Sequence, residues 1–308
     1  MKVLKVESVQ VVDADARRAK RDASRESQRL RNVERANDMH RARLLGVSDP
    51  TSFPLALPSS SKTVYNVGCS GWFYWHWKGI FYPENLPSSD WFGHYLSKFQ
   101  TVELNAPFYS WPTLATVKGW TRQAGRRKMV YTIKVSELIT HTKRFTGTKT
   151  LIRDFGLIAD ILGPRMGCFL FQLPPSFHYS NVALKRIVDQ LDPTRRNVVE
   201  FRHSSWWKER VFDAFKDAGI IFCSCSGPQL PDQLVRTNDD IYLRFHGTKK
   251  WYRHDYTKQE LETWIKRIQD SGATRVWAYF NNDRDGYAIK NARFLKRRLM
   301  LSTNAELG

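Results

Sequence analysis

The chain has 308 residues, with 49 Lys+Arg against 30 Asp+Glu, a formal charge of +19 and a pI near 9.9; such a protein attracts anions. Hydrophobic residues are 42% of the chain and mean hydropathy is −0.50. No apolar run approaches the roughly 18 residues of a membrane span, which excludes an integral membrane helix. The 11 Trp, 12 Tyr and 18 Phe exclude disorder of the whole chain, because rings in such number imply a packed core or a binding surface.

Residues 1–62 hold a single aromatic residue, Phe53, and carry 13 Lys+Arg against 8 Asp+Glu. Ala14 to Leu45 is rich in Arg and Ala, and Leu30, Val33 and Met39 make only a weak helical stripe. A frayed or partner-induced helix is expected there, acting as a basic tether that the fold can lose. Residues 48–62, with Pro50, Pro54, Pro58 and Ser59 to Ser61, have linker composition. Asp13, Asp15, Asp22, Glu26, Glu34 and Asp38 interrupt the segment, unlike an acid-poor presequence, so the cytosol or nucleus is the expected compartment. Cys69, Cys168, Cys223 and Cys225 form no C-x-x-C pair and are expected to be buried free thiols.

From residue 63 onward one alternation recurs eight times. Strands are predicted over Tyr65–Trp72, Thr101–Tyr109, Met129–Ser136, Met166–Pro174, Arg196–His203, Ile220–Gly227, Asp240–Gly247 and Thr274–Asn282. Helical patterns fill most gaps. Ser89 is expected to cap Asp90–Phe99, Thr113 the Leu114, Val117, Trp120 stripe, and Asn181 the Val182, Ile187, Val188, Leu191 stripe. Leu151, Phe155, Ile158 and Leu162 share one face, Ser205 opens a helix that Gly219 stops, and Thr257 with Glu260 forms a capping box. The gap after the sixth strand has the weakest helical pattern. Eight β-α units in about 250 residues predict an α/β fold of the (β/α)8 TIM-barrel class.

In such barrels chemistry sits at the C-terminal ends of the strands, and these ends are polar here. They carry Glu103 and Asn105, Lys134 and Ser136, Gln172, Glu200 and Arg202, Arg244 and His246, and Asn281. Residues two apart on a strand share a face, so these sets are expected to converge inside the mouth. Leu104, Val135, Phe201 and Phe245 face the helices.

Seven segments carry a resemblance: GCSGWFYWHWKGIFYP from Gly68, VELNAPFYSWP from Val102, KVSELITH from Lys134, LFQLPPSF from Leu170, VEFRHSSWW from Val199, RFHG from Arg244 and YFNND from Tyr279. In this order they resemble the YecE-like family, domain of unknown function 72, over residues 64–299. The resemblance implies a TIM barrel and no established reaction. Ala106 departs from the Thr or Ser frequent in the family, and residues 1–62 lie outside its usual domain.

Glu103 and Glu200 against Lys134, Arg202 and Arg244 leave one positive charge in the mouth, which a bound anion would balance. Two Arg forks beside a Lys form a phosphate clamp. Lys134, flanked by cations and desolvated, is expected to have a lowered pKa suited to a base or an imine-forming amine, the alternative being a permanent cation on phosphate. Glu103 or Glu200 is the opposite proton carrier and His246 a general acid. Asn105, Ser136, Gln172, Arg202, Arg244, Asn281, Trp72 and Tyr109 are the expected substrate-binding residues. The alternative to a site is an internal charge network serving burial alone.

No resident cofactor is expected. A divalent metal is the competing reading, with Glu103, Glu200, His203 and His246 as ligands in an endonuclease-like or isomerase-like barrel; it requires the chain to turn after Arg202. Trp72, Phe73, Tyr74, Trp75, Trp77, Phe108, Tyr109, Trp111, Trp206, Trp207, Trp251 and Tyr252, with Lys78, Lys249, Lys250 and Arg253 among them, have the composition of a single-strand binding rim or of a roof over the barrel. Lys290, Arg293, Lys296, Arg297 and Arg298 lie on the last predicted helix. P-loop, dinucleotide and serine-hydrolase motifs do not occur. The expectation is a hydrolase or lyase acting on a phosphate-bearing ligand, an RNA, a DNA or a nucleotide derivative; the alternative is a nucleic-acid-binding module without turnover.

Overall fold

Each of the eight predicted strands starts within one residue of its expected first position. They are β1 (Val64–Cys69), β2 (Thr101–Leu104), β3 (Val130–Lys134), β4 (Met166–Gln172), β5 (Asn197–Glu200), β6 (Ile221–Ser226), β7 (Asp240–Phe245) and β8 (Arg275–Phe280). The structure, a computed structural model, describes residues 3–47 and 63–305, with side chains over 16–47 and 63–301. The linker expected over 48–62 lies outside the described residues. All strands end earlier than expected, because the polar segments leave the sheet as loops; Asn105 already has φ −94° and ψ −17° and leads into a short helix, α3 (Ala106–Tyr109).

The strands pair in the order β1-β8-β7-β6-β5-β4-β3-β2, all parallel. They form the nearly closed barrel of a (β/α)8 fold. The β1/β2 seam is bridged by a side chain: Tyr95 Oη accepts the Cys69 N–H at 3.0 Å and donates to the Thr101 carbonyl at 3.0 Å. Gly68 permits this approach, since a Cβ there would come within 2.4 Å of the Thr101 oxygen.

The helices α2 (Trp91–Leu96), α4 (Leu114–Ala124), α5 (Lys149–Leu162), α6 (Asn181–Gln190), α7 (Glu209–Asp217), α8 (Lys258–Asp270) and α9 (Tyr287–Ala305) surround the sheet. Thr113 caps α4 and the Thr257–Glu260 box caps α8 as expected. Three starts differ. Ser180 rather than Asn181 caps α6, accepting the Ala183 N–H at 3.1 Å. A 3₁₀ turn at Ser88–Asp90 precedes α2 without a side-chain cap, and another at Ser204–Trp206 separates Ser205 from α7. Among the described residues no helix joins β6 to β7.

Two cores result. The outer one lies between sheet and helices and includes Leu104, Val135, Phe201 and Phe245. The inner one fills the barrel with Cys168, Leu170, Val198, Ile221, Cys223, Cys225, Tyr242, Trp277 and Tyr279; all four cysteines are buried and free. Toward the base, Asp240 meets Arg275 and the Trp277 indole N–H at 3.1 Å each. Above it Tyr279 Oη bonds Thr101 and Thr132 hydroxyls at 2.6 and 2.9 Å. Polar atoms this deep are tolerated because each is paired.

The N-terminal segment differs from the frayed tether expected. It is one helix, α1 (Val3–Leu44), and its last third docks on the barrel. Asn32, Ala36, Met39 and Ala42 are buried. Asn32 donates to the Tyr109 carbonyl at 3.0 Å and accepts the Trp111 N–H at 2.9 Å, and Arg35 donates to Ser110 Oγ at 2.5 Å. His40 and Arg43 bond the buried Asp154 of α5 at 3.1 and 2.7 Å. Of the expected stripe only Met39 is inside, while Leu30 and Val33 are exposed. The docking face is built from small and amide side chains, which a hydropathy pattern does not register.

Candidate active site

The mouth is assembled from inward-facing positions of β2, β3, β5 and β7 and the residues just beyond them. Arg244 stands at its centre, buried, with its fork divided between two buried carboxylates: Nη1 to Glu200 Oε2 at 2.5 Å and Nη2 to Glu103 Oε1 at 2.6 Å. Tyr242 Oη donates to the other Glu103 oxygen at 2.6 Å, and Arg202 Nε donates to Glu200 Oε1. Both carboxylates are therefore committed to cations. Burial pushes the Glu200 carboxyl up, but Arg202 and Arg244 outweigh it and hold the group well below its ordinary 4.5. Fixed in ion pairs, Glu200 orients Arg202 and is a poor proton carrier, which departs from the role expected of it.

Lys134 is different. Its Nζ lies 3.9 Å over the Phe108 ring and makes no ion pair with a carboxylate among the described residues. Burial and the neighbouring Arg244, together with Arg202, bring its pKa from 10.5 to about 7 against the opposing pull of Glu200 and Glu103.

His246 is buried and faces Arg202 Nη2 through Nε2 at 3.0 Å, with Glu200 farther at 3.5 Å. The ring stands between two donors, the Arg202 guanidinium at Nε2 and the Asn281 Nδ2 amide 3.4 Å from Nδ1. Burial, Arg202 and Arg244 push its pKa well below 6.5. The neutral imidazole is thus favoured, and its contact with Arg202 helps to hold that guanidinium in the mouth.

The remaining expected residues divide. Asn105 lies in the mouth, Nδ2 3.4 Å from Glu103 Oε1, with its Oδ1 buried and without a hydrogen-bond partner among the described residues. Arg202 lies 4.4 Å under the Trp251 ring. Ser136 is used in the fold, its Oγ accepting the Leu138 N–H at 3.3 Å, and Gln172 Nε2 donates to the Leu173 carbonyl at 2.7 Å. Trp72 is half-buried and leans on Phe92 of α2 at 4.8 Å. Tyr109 is 60% exposed on the rim, edge-on to Phe108. Trp77, Trp111 and Trp206 are buried roof, while Phe73, Trp75 and Tyr252 remain exposed.

The expected four-ligand metal set does not assemble. The chain does turn after Arg202, but His203 Nδ1 is taken up by Ser205 Oγ at 2.8 Å and its ring stacks on His178 at 4.0 Å. Glu103 is spent on Arg244 and Tyr242. Glu200, Cys225 and His246 do present donor atoms within 4.8 Å of one another; Arg202 contacts both Glu200 and His246 and brings its own cation to that position.

Two further side chains of the rim carry no signal in the sequence pattern. His141 sits in one turn of π-helix, Leu138–Thr142, directly after β3, its ring 4.9 Å from Phe108. Burial, Lys134 and Arg144 lower its pKa to about 4. Asp283, beyond β8, accepts from Trp77 Nε1 at 2.8 Å and faces His76 Nε2 at 3.0 Å; burial raises it to about 6 despite both partners. Each lies in a segment already notable for its motif, KVSELITH and YFNND, but only the fold brings them to the rim.

The family model "Protein of unknown function DUF72" matches residues 66–307, so α1 lies outside the match. UPF0759 protein YunF of Bacillus subtilis (strain 168) is 26% identical over 262 residues, 74% of this chain and 92% of that protein. Among solved structures, a DUF72 family protein from Thermotoga maritima MSB8 superposes with a TM-score of 0.70 at 27% identity, covering 77% of this chain and 99% of that one. Another, from Enterococcus faecalis V583, gives 0.66 at 18% identity over 77% and 96%. The protein is a member of the DUF72 family.

Proposed function

We propose that the mouth binds a phosphate-bearing substrate and transforms it by acid–base chemistry centred on Lys134. One observation supports this reading: Glu103 and Glu200 are committed to Arg244 and Arg202, which leaves Lys134 as a buried amine in ion-pair contact with no carboxylate among the described residues. A phosphate would supply the missing negative charge, and Arg202 has a planar fork suited to its oxygens. With a pKa of about 7, Lys134 divides near neutrality between two forms. The ammonium neutralises bound phosphate, and the amine accepts a proton from the substrate, the property wanted in a general base. Hydrolysis and elimination both fit. Exposed Phe73, Trp75, Tyr109 and Tyr252 on the rim favour a nucleotide or nucleic-acid substrate, because flat rings stack bases.

The same rings support the second reading, a nucleic-acid-binding module without turnover. A panel of nucleotides, oligonucleotides and sugar phosphates, followed by product mass and by calorimetric binding, separates the two. In Lys134→Met turnover is expected to fall at least ~100-fold, with binding weakened less than about tenfold. Binding by the wild type with no product from any member of the panel would overturn the enzyme reading in favour of the module.

A further inference from the structure

The N-terminal half of α1 carries a charged surface that neither the barrel core nor the mouth uses. Residues 16–31 contain Arg17, Arg18, Lys20, Arg21, Arg25, Arg29 and Arg31 against Asp22 and Glu26, and all of these are exposed. Helical periodicity fixes where they point. Arg18 precedes Ala36 by 18 residues, five whole turns, and Arg21 precedes Met39 by the same interval; Arg25 and Arg29 precede Ala36 by 11 and 7. Ala36 and Met39 are buried against the barrel. Arg18, Arg21, Arg25 and Arg29 therefore continue the docking face of α1, turned to the barrel side but beyond the last contact.

The place where this arm leaves the barrel is also defined. Asn32 grips Tyr109 and Trp111, in the rim loop after β2, whereas His40 and Arg43 reach Asp154, inside α5. Followed toward its N-terminus, α1 thus runs up the side of the barrel and passes the rim at Tyr109, whose exposed ring borders Phe108 and, through it, Lys134. The arm extends past that point by about 1.5 Å per residue.

We infer that this face, Arg18, Arg21, Arg25 and Arg29, holds the phosphate backbone of a single-stranded nucleic acid whose end enters the mouth. The inference rests on the reading of the mouth as a phosphate site. The opposite face of the arm, Ala16, Ala19, Ala23, Ser27 and Leu30, offers a single bulky apolar residue, Leu30, and no aromatic one, short of the continuous set of anchors that a membrane surface or a protein interface requires. Guanidinium groups spaced along a rod suffice for phosphates, which give affinity without needing a hydrophobic centre. Tyr109 at the root of the arm offers a stacking face that only unpaired bases can use.

The test uses the full chain and fluorescence anisotropy with labelled 20-nucleotide oligouridylate and oligothymidylate, a 20-base-pair duplex, and a labelled dinucleotide too short to reach the arm. Arg21→Gln/Arg25→Gln removes two barrel-side charges; Lys20→Gln/Arg31→Gln removes two from another face. The barrel-side pair is expected to weaken oligonucleotide binding about tenfold and to flatten its salt slope by about 1.4, with the other pair changing affinity less than about twofold. Circular dichroism confirms that helix content is kept. Equal effects of the two pairs, or a duplex bound as tightly as the single strand, would overturn the inference. So would weakened dinucleotide binding in the barrel-side variant, which would mean that the arm acts by shaping the rim. If the dinucleotide binds nothing in the wild type while the 20-mers still distinguish the two pairs, the mouth reading falls and the arm stands. RNA and DNA differ in the test only by the relative affinity of the two 20-mers.

Discussion

Replacing Arg244 by Met keeps an unbranched apolar stem, shortens the side chain and removes the cation shared by Glu103 and Glu200. All three side chains are within 1% of complete burial, so solvent cannot take over the lost charge. Breaking a buried ion pair by removing one partner costs about 3–5 kcal/mol. Here two carboxylates lose the same partner, which places the variant near the upper end of that range. Glu200 keeps Arg202, whereas Glu103 keeps only the Tyr242 hydroxyl and the Asn105 amide. For a domain of this size about 5 kcal/mol is a fall in Tm of about 10–20 °C. Urea unfolding at pH 7 of the wild type, Arg244→Met, Glu103→Gln and the double variant closes a cycle. The Arg244 change is expected to cost about 2 kcal/mol less when Glu103 is already Gln, because no uncompensated charge is then left. An equal cost in both backgrounds, or a cost below about 1 kcal/mol in the wild type, would refute the assignment of Arg244 as the counter-ion of the mouth.

Lys134 makes a prediction of opposite sign. Its pKa falls from 10.5 unfolded to about 7 folded, so the unfolded chain binds more protons between those values, and this residue makes stability rise with pH across that window. The penalty is full below pH 7 and absent above 10.5. Lys134→Met is expected to be more stable than the wild type by a few kcal/mol at pH 6, with the difference shrinking toward pH 10; parallel melting curves across pH would contradict the desolvated amine. The docking of α1 is tested by Met39→Ala. Met39 is buried and its Sδ lies 3.4 Å from Trp111 Nε1, and truncation of such a residue costs about 2–4 kcal/mol where helix and barrel unfold together. A detachable tether would leave the barrel transition, followed by Trp fluorescence, unmoved.

The barrel was legible because its signal is repeated. Eight β-branched or aromatic runs at regular spacing, each with room for a crossover, leave few architectures, and strand starts such as Thr101 and Met166 fall at the residue where the pattern begins. Strand ends are less legible wherever a motif follows. VELNAPFYSWP is apolar and aromatic enough to continue a strand, but Asn105 turns the chain and Pro107 sits in the first turn of α3. Caps were off by one where two capping residues stand side by side, as at Ser180 and Asn181. The docking of α1 was invisible because Asn32, Ala36 and Ala42 bury little apolar area each, and their value lies in letting Asn32 and Arg35 reach a loop 75 to 79 residues away in sequence.

For the mouth, alternation along single strands identified which residues point inward, and Glu103, Lys134, Glu200, Arg202, Arg244 and His246 do meet. Alternation says nothing about who pairs with whom, since that depends on the height each strand reaches in the staggered barrel. The stagger sets Arg244 level with both carboxylates and leaves Lys134 above the Phe108 ring. It also decides the fate of His246, where burial, Arg202 and Arg244 outweigh the Glu200 carboxylate 3.5 Å away and favour the neutral ring. The surplus cation counted from composition is thus real in number but specific in place. Among the described residues it is the one buried lysine, and no carboxylate is in ion-pair contact with it; a buried cation in that state costs free energy until a ligand or deprotonation relieves it.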